Sequence, residues 1–259
     1  MTLTREIRFG LEETPSPGAV NGFAGNPALT GIAPFLRLAV VIRGAVDGAT
    51  GMLVNIQDVD RLLRETAVPR LREEHFQRRA TAEEAVRGLW GLLRGRLERG
   101  ELTELRLWPS DYLAYAICDK EPAMVRVSLR FEFSAAHRLH AKGLSAEQNA
   151  EVFGRCNNPN GHGHNYEVEV VVSGEPGATG RVMAIGKLQE IVNREIVERF
   201  DHKHLNLDCA EFNAGGLNPT VENIAGVLYR RLEPHIPAPA RLAAVRLWET
   251  PKTMCEYSA

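Results

Sequence analysis

Two histidines separated by a single glycine carry the clearest chemical signal in this 259-residue sequence. His162 and His164 stand at the start of an apolar run that continues to Val172 and has the character of a β-strand. Side chains two residues apart on a strand project to the same side, so the two imidazoles should converge while Gly163 points away. Paired imidazoles on one rigid element are suited to binding a metal ion.

A third imidazole is available from His137, just after the predicted strand Val125 to Phe133. Three neutral imidazoles that leave a fourth position open to water or substrate form the catalytic rather than the structural type of zinc site. The motif taken alone can also be a surface pair without function. His140 falls out of strand register and His235 is interpreted as an ordinary surface residue, so neither is assigned to the site.

Three further segments carry groups suited to proton transfer or recognition. Cys156 lies in a polar loop before the histidine pair, where a nearby metal favours the thiolate, the form that acts as a base or nucleophile. Asp201 and His202 follow a predicted helix, Lys187 to Arg199, and either transfer protons near neutral pH or simply cap the helix end. Glu249 ends a predicted strand, where it either accepts paired N–H donors from a flat guanidine-like edge or faces solvent.

The bulk composition limits the class of partner. Lysine and arginine number 31 against 33 aspartate and glutamate residues, so no basic field for nucleic acid is present and a small molecule is expected. The four cysteines form no CxxC pair, which favours a reducing cytoplasm over a disulfide framework. The first residues lack the apolar core of a signal peptide, and no window reaches the roughly 18 apolar residues of a membrane span. We therefore expect a cytoplasmic protein without a membrane partner.

A weak internal repeat, with a period of about 130–140 residues, predicts a duplicated domain. The paired segments occur in the same order in both halves: Leu36 to Gly51 with Glu167 to Gly180, Thr81 to Leu97 with Thr220 to Leu232, and Leu105 to Trp108 with Val245 to Trp248. They are interpreted as a strand, turn and returning strand, then a helix with a threonine cap, then a late strand. The boundary near Pro122 gives domains 1–122 and 123–259 of the α+β class.

Taken in order, the segments FSAAHRL, CNNPNGHGHNYEVEVVVSGE, ATGRVM, FDHKHLNLD, NPTVENIA and VRLWET resemble the 6-pyruvoyltetrahydropterin synthase family over residues 124–259. The resemblance implies tandem tunnelling-fold (T-fold) domains, each an antiparallel four-stranded sheet with two helices on one face. It also implies a homo-oligomer in which sheets close into a barrel and active sites lie at subunit or domain contacts.

The resemblance further assigns roles to the residues that match the family motif. The implied site consists of the zinc ligands His137, His162 and His164, the general base Cys156, the proton-relaying pair Asp201 and His202, and the pterin-binding residues Glu249, Thr220 and Glu222. In the family the relay pair usually comes from the neighbouring subunit.

The implied reaction converts 7,8-dihydroneopterin triphosphate to 6-pyruvoyltetrahydropterin and releases triphosphate, with Zn2+ as the cofactor. Five residues separate Cys156 from His162, a spacing that resembles the pyruvoyl-forming branch, whereas queuosine-pathway relatives that make 6-carboxytetrahydropterin commonly have a shorter loop. The carboxy product from the same substrate, a non-catalytic zinc- or pterin-binding protein, and a different zinc hydrolase remain alternatives.

The sequence departs from the family pattern in two places. Ala184 stands in the predicted strand after the hairpin, where relatives often carry Asp or Asn. In the first half, Leu29 to Pro34 takes the register of the histidine pair and Pro109 that of Glu249, so this half cannot bind zinc in the family manner. We expect the first domain to complete the barrel or the oligomer without chemistry, with Glu74-His75 as a relic of the Asp-His pair on a charged helix end.

Overall fold

The chain folds into two compact units that interleave along the sequence. The computed structural model describes residues 1–12, 32–213 and 216–258. The first unit comprises residues 1–127 and 173–182, and the second comprises residues 128–172 and 183–259. No helix in the described part of the chain combines the length and apolar character needed to cross a bilayer.

The first unit is built on four strands and three α-helices. The strands are β1 (Thr2–Gly10), β2 (Phe35–Arg43), β3 (Glu101–Ser110) and β4 (Leu113–Cys118). They follow the spatial order β1-β2-β3-β4, each antiparallel to its neighbour. The helices are α1 (Ile56–Leu62), α2 (Val68–Arg72) and α3 (Ala82–Leu93), with π-helical turns at Leu63–Ala67 and Glu73–Arg78.

Helix α3 shows how sequence pattern becomes packing in this unit. Val86, Leu89, Trp90 and Leu93 are buried at helical spacing, and the helix packs on β3 and β4. Thr81 closes the N-terminus of the helix through a reciprocal capping box with Glu84.

The turn at residues 177–182 belongs to this first unit and lies against the start of α3. The Thr81 hydroxyl donates a hydrogen bond to the Gly180 carbonyl oxygen at 2.7 Å. The Val182 amide donates to the Glu83 carboxylate at 3.4 Å, and burial raises the pKa of Glu83. The turn therefore provides hydrogen-bond partners for the buried end of α3.

The second unit carries the remaining elements, most of strand β5 included. Its strands are β5 (Val125–His137), β6 (His162–Gly174), β7 (Lys203–His204), β8 (Arg241–Thr250) and β9 (Thr253–Tyr257). Its helices are α4 (Ala146–Phe153), α5 (Ile185–Val192), α6 (Glu198–Phe200), α7 (Leu205–Asp208) and α8 (Val221–Leu232). A π-helical turn, Asn193–Val197, joins α5 to α6, and short 3-10 turns lie at Gly154–Asn157 and Glu233–His235.

The strands of this unit follow the order β5-β6-β8-β9, and the short β7 pairs with β5 in parallel. Helix α8 packs on β8 and β9 through a buried apolar stripe that includes Ile224, Leu228 and Leu232. The predicted α+β class with an antiparallel sheet is confirmed, as is the helix predicted at residues 187–199.

The returning strands predicted after the two glycine turns are wrong. Residues 52–55 and 181–184 form no strand in the structure and lead directly into α1 and α5. Asn55 caps α1 with its side chain, whereas Ala184 occupies the N-cap of α5 and offers no side-chain acceptor. The departure at Ala184 thus removes a helix cap rather than a strand interaction. The helix predicted to reach Leu97 ends at Leu93.

Equivalent positions of the two halves have matching backbone conformations. Thr81 and Thr220 cap twelve-residue helices with ψ angles of 160° and 158°. Gly51 and Gly180 both lie in the left-handed region, with φ of 69° and 71°. These matches support the duplication, which stays a prediction.

The structure describes only part of the segments predicted to form a degenerate site in the first half. Of the segment predicted to replace the histidine pair, residues 29–31 lie outside the described residues. Glu74, the proposed relic, is buried and forms ion pairs with Arg70 and Arg78 at 2.5 and 3.3 Å, so it has a structural role in the first unit.

Alanine substitutions at Gly51 and Gly180 can separate the cost of a positive φ from the cost of losing the Glu84 capping interaction. We expect Gly180→Ala to lower the free energy of unfolding by about 2 kcal/mol, because a Cβ would lie 2.6 Å from Glu84 and force it out of the capping box. Gly51→Ala has nothing within 4 Å of the added carbon and should cost only about 1 kcal/mol of strain. Urea denaturation measures both, and equal losses would contradict the role given to this turn.

Candidate active site

Three imidazoles converge where β5 ends and β6 begins. His137 is the last residue of β5, and His162 and His164 are the first and third residues of β6. One ligand nitrogen from each ring lies within 4.8 Å of the other two. In the described residues this is the only group of three or more side chains that could hold a metal ion. The structure thus brings together the three side chains that were predicted from the sequence to converge.

His137 is held in one tautomer by a backbone group. Its ring is fully buried, and its Nδ1 lies 2.7 Å from the carbonyl oxygen of Pro219. A carbonyl oxygen only accepts, so Nδ1 must carry the proton and Nε2 must present its lone pair. Burial lowers the pKa of His137 to about 4, which keeps the imidazole neutral near pH 7 and ready to bind a metal.

Two of the three nitrogens have the spacing of ligands to a tetrahedral metal ion. His137 Nε2 lies 3.1 Å from His162 Nε2, close to the roughly 3.3 Å between two nitrogens that are each about 2.0–2.1 Å from tetrahedral zinc. The Nε2 atom of His164 is buried without a hydrogen-bond partner among the described residues. A buried ring nitrogen without a partner is costly unless it binds a ligand, so the cluster has the chemistry of a metal site.

Glu249 borders the imidazole cluster. One of its carboxylate oxygens lies 3.4 Å from His137 Nε2 and 3.7 Å from His164 Nε2. Because His137 is neutral near pH 7, its contact with Glu249 is not an ion pair there. The carboxylate, on a side chain that is 20% exposed, is able to receive a donor from a bound molecule.

Tyr166 belongs to the site and was missed in the sequence. It follows His162 and His164 at the same two-residue spacing, and its hydroxyl oxygen lies 3.5 Å from His137 Nε2. The ring is fully buried and stacks on Phe133 with centroids 5.0 Å apart. Burial raises its pKa, and the nearby charges of Glu249 and Cys156 raise it further.

Cys156 lies on the 3-10 turn beside this cluster. The side chain is half-buried, and its backbone carbonyl accepts a hydrogen bond from the Leu139 amide at 2.9 Å, two residues beyond His137. This bond ties the turn that carries Cys156 to the chain just after His137.

Asp201 and His202 are fastened to β5 by hydrogen bonds. Asp201 accepts from the Ser134 amide at 2.8 Å and from His202 Nδ1 at 2.7 Å, and these bonds lower its pKa. The His202 ring is 83% exposed and lines the same open cavity as His164, with a volume of about 630 Å³. The pair therefore joins the end of α6 to β5 and also presents an imidazole to the cavity.

The predicted substrate residues on α8 are less closely joined to the cluster. Thr220 caps α8 and directly follows Pro219, whose carbonyl binds His137. Glu222 is exposed in the first turn of α8. Burial raises the pKa of Cys255, and the charge of Glu222 raises it further. The structure does not bring Glu222 to the three imidazoles in any hydrogen bond or ion pair of the described residues.

A fourth histidine supports the loop that leads into the cluster. His204 pairs with Ala136 of β5 in the parallel β7 register. Gly161 has φ of 73°, and a Cβ there would lie 2.6 Å from His204 Nε2 and 3.0 Å from the His137 carbonyl oxygen. Only glycine fits at this position, which sets the direction in which His162 enters β6.

Comparison with known proteins places this site in a family. The family model of 6-pyruvoyl tetrahydropterin synthase matches residues 126–259. The human 6-pyruvoyl tetrahydrobiopterin synthase is 42% identical over 133 residues, which cover 51% of this chain and 90% of the relative. The Haemophilus influenzae 6-carboxy-5,6,7,8-tetrahydropterin synthase is 27% identical over 154 residues, 52% of this chain and 99% of the relative.

A solved structure of the same family resembles this half of the chain. The Caenorhabditis elegans 6-pyruvoyl tetrahydropterin synthase is 37% identical, with a TM-score of 0.50, and the match covers 52% of this chain and 96% of that one. The histidine cluster, Cys156 and Glu249 all lie in the matched half. The chain belongs to the 6-pyruvoyl tetrahydropterin synthase family.

Proposed function

We propose that the chain is a zinc-dependent lyase that converts 7,8-dihydroneopterin triphosphate to 6-pyruvoyltetrahydropterin and releases triphosphate. The observation that carries the proposal is the cluster of three imidazoles bordered by the Glu249 carboxylate. The relatives named as synthases of this type support it, at 42% identity for the human protein.

Glu249 orients the pterin in this proposal. Its carboxylate accepts two N–H donors from the amino-pyrimidinone edge of the ring. Because the carboxylate is 3.4 Å from His137 Nε2, a ring held there keeps its side chain beside the imidazoles. Thr220 and Glu222, at the start of α8, are assigned to the same pocket.

The chemistry requires proton movement but no outside reductant. Zinc held by His137, His162 and His164 would supply Lewis acidity to the side-chain hydroxyls of the substrate. Cys156, as thiolate, removes a proton from a side-chain carbon, and Asp201 and His202 relay protons. A tautomeric shift then reduces the pyrazine ring while the side chain is oxidised and triphosphate leaves, so the electrons balance within one molecule.

The first domain, residues 1–122, is assigned no chemistry. We propose a cytoplasmic homo-oligomer in which the site of residues 123–259 lies at a subunit or domain contact. The 83% exposure of His202 supports this, because a relay residue so open to solvent acts best when another surface covers it.

A second candidate is 6-carboxytetrahydropterin formation from the same substrate. The similarity to the Haemophilus influenzae enzyme favours it, whereas the five residues between Cys156 and His162 favour the pyruvoyl product. The two reactions share the opening steps and differ in the fate of the side chain.

Product identification tests the proposed function directly. Purified protein loaded with zinc is incubated with 7,8-dihydroneopterin triphosphate, and the pterin is identified by its mass. The pyruvoyl product is expected, and the carboxy product would favour the second candidate. Zinc binding without any release of triphosphate would indicate a non-catalytic binding protein instead, and hydrolysis that leaves the pterin oxidation state unchanged would indicate a zinc hydrolase.

Replacement of the proposed base should separate chemistry from metal binding. We expect Cys156→Ala to lower turnover by roughly 10²- to 10⁴-fold while zinc content stays unchanged, because the sulfur is not one of the three ligands. Cys118→Ala is the matched control, since Cys118 is also half-buried but ends β4 in the first unit. Turnover of Cys156→Ala at the wild-type rate would show that another group is the base.

Two neighbouring glycines test how the metal ligands are positioned. Gly161→Ala should weaken zinc binding by roughly 10- to 100-fold, because its Cβ would displace His204 and press on the His137 backbone. Gly163→Ala should have little effect, because only the Ala135 carbonyl oxygen lies near the added carbon, at 3.7 Å. Competition with a zinc chelator measures both affinities, and similar losses in the two variants would contradict this account.

A further inference from the structure

A second cavity in the same unit is lined by cationic and amide groups. It has a volume of about 400 Å³, within the roughly 300–1,000 Å³ typical of ligand sites. The polar side chains that matter here are Arg138, His140, Lys142, His204, Asn206 and Asn218. The described residues that line this cavity include no aspartate or glutamate. The wall therefore has the charge of an anion site.

The cations in this wall are not neutralised by carboxylates. The Arg138 guanidinium donates to the backbone and side-chain oxygens of Asn157 at 3.1 and 3.0 Å and lies 3.3 Å from His140 Nδ1. None of these three partners is a carboxylate. Lys142 is exposed and has no hydrogen-bond or ion-pair partner within the part of the chain that the structure describes.

The segment that carries these cations is rigidly held. Each of its four successive backbone amides, from Arg138 to Ala141, donates a hydrogen bond to another segment. The acceptors, in order, are Asn206 Oδ1 at 2.7 Å, the Cys156 carbonyl at 2.9 Å, Asn218 Oδ1 at 3.1 Å and Asn149 Oδ1 at 2.8 Å. The cationic wall is therefore preorganised, which lowers the entropic cost of binding.

The cavity is lined by residues that neighbour the imidazole cluster. Arg138 directly follows His137, and Asn218 directly precedes Pro219, whose carbonyl fixes the His137 ring. His204, in the cavity wall, contacts the position of Gly161 beside His162. His204 also lines the open cavity of about 630 Å³ that contains His164, so the two cavities meet at this side chain.

We propose that this cavity binds polyphosphate and, in the enzyme, receives the triphosphate tail of the substrate; the second part rests on the proposed function. The planar guanidinium of Arg138 can donate two parallel bonds to phosphate oxygens, and Lys142 adds a mobile positive charge. Asn218 uses its oxygen on the His140 amide, so its NH₂ group remains a donor.

Titration with inorganic triphosphate measures the anion affinity of the cavity in the absence of turnover. Isothermal calorimetry compares the wild-type chain, Lys142→Gln and the control Lys120→Gln, an exposed lysine of the first unit. We expect binding to weaken roughly tenfold in Lys142→Gln and to stay unchanged in Lys120→Gln, as for the loss of one charged hydrogen bond. Metal content is measured before and after, because any chelation of zinc by triphosphate would affect all three proteins alike. Equal affinities in the wild type and Lys142→Gln would overturn the proposal.

A second measurement identifies the source of the phosphate. The KM for 7,8-dihydroneopterin triphosphate should rise about tenfold in Lys142→Gln with little change in kcat, whereas affinity for sepiapterin, which carries no phosphate, should stay unchanged. An unchanged KM would overturn the substrate assignment and leave a site for free polyphosphate. Triphosphate binding that depends on Lys142 in a protein that forms no pterin product would refute the proposed function while supporting the cavity.

Discussion

The hydrogen bond between the His137 ring and the Pro219 carbonyl is the constraint on which the site depends. It joins the end of β5 to the start of α8, 82 residues further along the chain, and it fixes which ring nitrogen is free. Neighbouring bonds hold the same corner, since Asn223 donates to the Asn218 carbonyl at 2.9 Å and Thr220 caps the helix. Movement of α8 would therefore change the direction in which the lone pair of His137 Nε2 points.

The part of the site that lies on one strand could be predicted from the sequence. The two-residue period of β6 placed His162 and His164 on one side, and the same rule extended by one step would have found Tyr166. His137 was found because it ends the preceding predicted strand. Side-chain periodicity is a local property of a strand, so it can be read from the sequence without knowledge of the fold.

The remaining contacts depend on groups that residue type does not reveal. The Pro219 carbonyl is a backbone acceptor, and every residue has one, so nothing in the sequence distinguishes it. The approach of Glu249 to within 3.4 Å of His137 depends on how β8 is placed relative to β5. The returning strands were mispredicted because short apolar pairs such as Leu53-Val54 are buried equally well in a loop that precedes a helix.

Residues 173–182 make the two parts of this chain structurally dependent on each other. They lie inside the segment that matches the family, yet they form part of the first compact unit, at Thr81 and Glu83. Each compact unit contains two separate stretches of the chain, so no single cut in the backbone would leave both units whole. A substitution at Thr81 or Glu83 would therefore disturb a turn that belongs to the segment matching the family.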